Sequence, residues 1–223
     1  MKKKLELYTQ GKNECAITTA RYILFTELWI KLSEAEYQEL VQKAEADNIW
    51  SRWWWTKFKR FFNWFTGWFY KKYWVEIEVE EFDILEDEFK KAIKEWNTFC
   101  IWLLRAWSWY KTVRNNQTIT MQEMEETPIW WFYGHAQTYK LGYIIWILWS
   151  IDIDIRIISL PLEVLRKWVE KWVYWQTARS LKMKDELLQY YLRELKKWTV
   201  FEHIEQLDDI NRKTLDLALK LQI

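Results

Sequence analysis

Two periods of hydrophobic residues alternate along this chain. Over residues 13–28, Ile17, Ala20, Leu24 and Leu28 fall three and four apart, which predicts a helix with one apolar face and Asn13 as its N-cap. Residues 33–46 predict a second helix, opened by Ser33-x-x-Glu36, in which the serine and glutamate can cap each other's backbone. Residues 58–65 read as a partly basic helix and 85–95 as another. Period two predicts strands at 5–8, 75–79 and 97–104, then at 135–141, Tyr143–Leu148 and 153–158, with a hairpin at Gly142-Tyr143. Residues 105–126 have no clear period and are expected to be an exposed loop. Pro161 suits the first turn of a helix, and 173–178 fit a closing strand. Residues 182–195 and 202–221 are charged, amphipathic and helical, joined near Trp198. Helices early, antiparallel strands later and no internal repeat indicate an α+β fold over residues 1–180, with a helical extension over 181–223.

Charge and length narrow the function. A chain of 223 residues can hold one domain with a real core and an appendage. With 33 basic and 32 acidic residues, nothing steers it to nucleic acid or an anionic membrane. Lys57, Lys59 and Arg60 read as a solvated helix face. No stretch approaches the ~20 apolar residues of a membrane span. After Lys2, Lys3 and Lys4, the residues Glu6, Thr9 and Gln10 interrupt where a signal peptide needs an apolar run, so a cytoplasmic location is expected. Two cysteines make neither a disulfide framework nor a zinc pattern, and no metal or other cofactor is expected.

One composition figure is abnormal: 20 tryptophans against 4 glycines, where ordinary usage of about 7% would give roughly 16 glycines. The tryptophans also stand where glycine belongs. Trp29, Trp96 and Trp198 follow helical stretches, at the place of a left-handed cap. Trp53, Trp54 and Trp55 lie in a connecting segment, and Trp130 and Trp131 precede Gly134-His135. Some bacterial lineages read UGA as glycine where other codes read tryptophan, so many of these residues are expected to be glycines decoded under the wrong code. The alternative is a Trp-rich surface that binds a partner.

Candidate chemistry concentrates at Tyr8-Thr-Gln-Gly-Lys-Asn-Glu-Cys-Ala-Ile. Cys15 falls in the first turn of a helix, where unpaired N–H groups and the helix dipole favour a thiolate. Gln10 can donate to an oxyanion together with the Cys15 N–H. Of two histidines, His203 lies among Glu202 and Glu205 as a solvated helix residue. His135 opens a strand after Gly134, and Asp152 follows one hairpin later, where a carboxylate could fix the imidazole tautomer. Asp154 is a rival, because a one-residue slip changes which side chain faces the histidine. Cys100, in an apolar strand, reads as core.

Gln before Cys at a helix start, then a strand-borne His after glycine, then an Asp past a hairpin, resembles the papain-like cysteine peptidases, nearest the bacterial C39-like group. With tryptophan read as glycine, the approach to Gly134-His-Ala-Gln-Thr-Tyr-Lys-Leu-Gly-Tyr looks like the histidine motif of that family. The resemblance covers residues 1–180. It implies a papain-like fold, Cys15 as nucleophile, His135 as acid and base, Asp152 as orienting carboxylate and Gln10 as oxyanion donor. The substrate implied is a peptide or protein, cleaved through an acyl-enzyme. The sequence departs from the family in spacing, with Gln10 five residues before Cys15 where six is usual, and in having no Asn-Ser-Trp motif. Against this stands a non-catalytic papain-like module that binds peptides, or a Trp-rich interaction protein.

Overall fold

The computed structural model describes residues 14–50, 58–95, 97–106, 117–126, 132–148, 154–171 and 176–185. The proposed strand at 5–8, Gln10, Asp152, Trp53 to Trp55, Trp96, Trp130, Trp131, Trp198, His203 and the helices of the C-terminal extension lie outside them.

The first half is mainly helical. Helix α1 runs Cys15–Leu28, α2 Glu34–Ala46 and α3 Phe58–Tyr73. In α1 every residue from Cys15 to Leu24 is buried, so it is a core helix, and its polar residues Thr18, Thr19 and Arg21 are buried with it. Its N-cap is Glu14, one residue after the expected Asn13, and no side chain caps it. The reciprocal cap expected at the start of α2 is present. Ser33 accepts from the Glu36 N–H, and the Glu36 carboxylate accepts from the Ser33 N–H at 2.8 Å. Helix α3 extends well past residue 65, because Phe61, Phe65 and Phe69 continue one buried stripe at spacing four. Phe61 and Phe65 stack with centroids 5.7 Å apart.

Strand β1 (Ile77–Asp83) and helix α4 (Asp87–Lys94) follow, then β2 (Phe99–Ala106), α5 (Met121–Glu126), β3 (Phe132–Lys140), β4 (Tyr143–Leu148), β5 (Asp154–Ser159), α6 (Leu162–Lys171) and β6 (Thr177–Met183). The six strands form one antiparallel sheet in the order β1-β6-β2-β3-β4-β5. The chain is therefore α+β.

Both faces of the sheet are covered. Helices α1, α2 and α3 share a core with Ile77, Cys100, Trp102, Ala136, Leu181 and Met183. Helices α4, α5 and α6 share another with Phe99, Ile101, Leu103, Tyr139, Ile144 and Ala178. The two sets alternate along β2, as a strand buried on both sides requires.

Three expectations are corrected. Residues 105–126 are not one exposed loop: Arg105 and Ala106 finish β2, and α5 is capped by Thr120 and Glu123 and buries Met124. Strand β1 starts later than residue 75 and continues through Glu80 and Glu81, whose charges are met across the sheet by Lys182 and Arg179. Strand β6 continues past residue 180, so Lys182 and Met183 are strand and not tail helix.

Candidate functional site

Cys15 is the first residue of α1, and that turn is tied to α2. The Tyr37 hydroxyl donates to the Glu14 carboxylate at 2.8 Å and lies 2.8 Å from the Thr18 hydroxyl. Arg21, one turn further on, donates to the Leu32 carbonyl at 2.9 Å and to Glu34 at 3.1 Å, and its guanidinium lies 4.6 Å from the Tyr37 ring centroid. Burial first, then the Glu14 charge, pushes the Tyr37 phenol well above its ordinary range, so it remains a proton donor. Glu14, Thr18 and Arg21 form one polar stripe at spacings of four and three on a buried helix. That stripe is legible in the sequence as polar positions spaced four and three apart, distinct from the candidate catalytic residues.

Cys15 keeps only 9% of its surface exposed, and Cys100 none. Burial drives the Cys100 thiol well above its ordinary range. The nearby Cys15 adds to this, while Arg179 and a hydrogen bond with Thr19 oppose it. Cys100 is thus a core residue, as expected, and neither cysteine is in a disulfide. At the far end of α1, the buried Glu27 carboxylate accepts from the Thr98 N–H at 2.8 Å and lies 3.8 Å from Lys140, which bolts the helix to β2 and β3.

Helix α1 packs across β3, β2 and β6. Position 135 lies on β3 opposite Leu103, and Ala136 opposite Trp102. Ala136 and Trp102 belong to the α1 side of the sheet, and Leu103 to the other side. Strand parity therefore groups position 135 with Leu103, on the face away from Cys15. Gln137 shares that parity. It is buried, and its amide nitrogen and oxygen both lack hydrogen-bond partners. Asp154 opens β5 opposite Leu148. The β3–β4 pairing runs from Lys140↔Tyr143 to Thr138↔Ile145, and β5 lies beyond β4, so a strand separates His135 from Asp154.

Among the described residues, no group of three His, Cys, Asp or Glu could hold a metal ion, and no helix is long and apolar enough to cross a membrane. No protein-family model, curated protein or solved structure matches the chain.

Proposed function

We propose that this protein is a papain-like cysteine peptidase of C39-like type, cleaving a peptide or isopeptide bond through a thioester on Cys15. The observation that supports it best is that Cys15 opens a helix whose first turn is fixed and which packs against the strand of His135. In this reading the thiolate attacks the carbonyl carbon while Gln10 and the Cys15 N–H hold the oxyanion. The C–N bond breaks as His135 protonates the leaving amine. Water, giving its proton to His135, then hydrolyses the thioester and restores the thiol. Asp152 or Asp154 orients the imidazole. The reading requires a bulge between positions 135 and 136, because the unbroken pairing from Phe99↔Tyr139 to Ala106↔Phe132 sets position 135 opposite Leu103.

A second reading, a non-catalytic module on the same scaffold, is favoured by the strand parity of position 135. Thiol alkylation separates the two. A peptidase predicts that Cys15 labels faster than Cys100, with an apparent pKa below about 8.5 and a slower rate in folded His135→Ala. Equal, slow labelling of both cysteines, indifferent to His135, would sink the peptidase.

A further inference from the structure

Four described residues other than glycine have left-handed backbone: Trp29 (φ 59°), Asn48 (55°), Trp74 (56°) and Leu141 (52°). Three of them terminate helices. After α2, the Ile49 N–H returns to the Ala44 carbonyl at 2.9 Å, with Asn48 at the left-handed position; asparagine is one of the few side chains that tolerates it. After α3, the Trp74 N–H returns to the Tyr70 carbonyl at 2.8 Å, the single-bond form of the same cap. After α1, the N–H groups of Trp29 and Ile30 both return to the Leu24 carbonyl. Glycine is the usual residue at such sites, and a bulky side chain there is an outlier.

The indoles do not offset that strain. Trp74 is 65% exposed, and its ring meets Tyr70 at a centroid distance of 5.9 Å. Trp29 is half-buried against the α1 core, yet its indole nitrogen is buried without a hydrogen-bond partner, which a buried tryptophan normally finds. Leu141 shows that left-handed backbone alone does not demand glycine; it sits with Gly142 in the turn between β3 and β4. What distinguishes positions 29 and 74 is the helix cap, the poorly placed indole and a chain with 20 tryptophans and 4 glycines.

We infer that positions 29 and 74 carry glycine in the protein made by its own cells, from UGA codons read as glycine. This goes beyond the peptidase reading and stands without it. Tandem mass spectrometry of the peptides spanning both positions, from protein purified from its source, is expected to find glycine at each, with UGA in the gene. Tryptophan at either position overturns the inference. Stability supplies a second test on the full recombinant chain, using Trp74→Gly and Trp74→Ala. Both remove the indole, but only glycine relieves the left-handed backbone. The glycine variant is expected to have a folding constant roughly five- to thirty-fold above the alanine variant. Equal stability of the two variants overturns the assignment.

Discussion

The Tyr37 hydroxyl lies 2.8 Å from both the Glu14 carboxylate and the Thr18 hydroxyl, with Tyr37 and Thr18 buried and Glu14 half-buried. Tyr37→Phe removes one oxygen and leaves both partners short of a bond, which costs about 1–3 kcal/mol. Gln137 presents the opposite case, since its buried amide already has no partner. Replacing it with leucine removes the desolvation cost and keeps an apolar body, so Gln137→Leu is expected to stabilise by a similar amount. Denaturant midpoints should therefore move in opposite directions for the two variants. A loss in Gln137→Leu would mean that the amide has a partner in solution. The Tyr37 contacts were half legible: Thr18 and Arg21 stand out as polar positions in an apolar helix. Their partner on α2 depended on how two helices pack, which no local pattern carries.

Local chemistry made helix starts readable, and its reach explains what was missed. Ser33 and Glu36 cap each other within one turn, so the spacing alone located α2. Thr120 and Glu123 do the same for α5, where the Thr120 N–H reaches Glu123 at 2.8 Å; that pattern was present within a stretch read as loop. Strand ends were less legible, because charged residues such as Glu80 are paired only through register. The parity that separates position 135 from Cys15 likewise follows from pairing with β2. The cap of α2 also sets an acid dependence. Burial pushes the Glu36 carboxyl up, but bonds from the Ser33 side chain and backbone and from the Tyr73 hydroxyl, with the Lys72 charge, bring it below its ordinary 4.5. Since the folded value lies below the unfolded one, its contribution is complete above the ordinary carboxylate range. It is lost as pH falls through the lowered value. Ser33→Ala should cost about 0.5–2 kcal/mol at neutral pH. Urea titrations at descending pH should also show a shallower acid loss in Glu36→Gln than in the parent; an unchanged slope would remove Glu36 from the acid response.

At the scale of the molecule, β6 carries the sheet past residue 180. It lies between β1 and β2 inside the sheet, and its register runs from Asp83↔Thr177 to Ile77↔Met183. The sequence suggested an end at residue 180 because the charges beyond it fit a helix. Yet Ser180, Leu181, Lys182, Met183 and Lys184 also alternate at period two, and the sheet selects that period. Leu181 and Met183 are buried beside α1 and α3, Lys182 lies 3.0 Å from both Glu78 and Glu80, and the Lys184 N–H reaches the Glu76 carbonyl. A chain stopped after Ser180 would lose both core side chains and three of the seven β1–β6 pairs. Losing one such side chain costs about 2–5 kcal/mol. Two losses approach the 5–15 kcal/mol that holds a typical domain together. A chain stopped after Asp185 keeps every one of these contacts. Thermal unfolding followed by circular dichroism is therefore expected to show a cooperative transition for the Asp185 end and a strongly lowered or absent one for the Ser180 end. Equal transitions would mean that β1 holds its place without the last residues of β6, and that the sheet's stability resides on its other side.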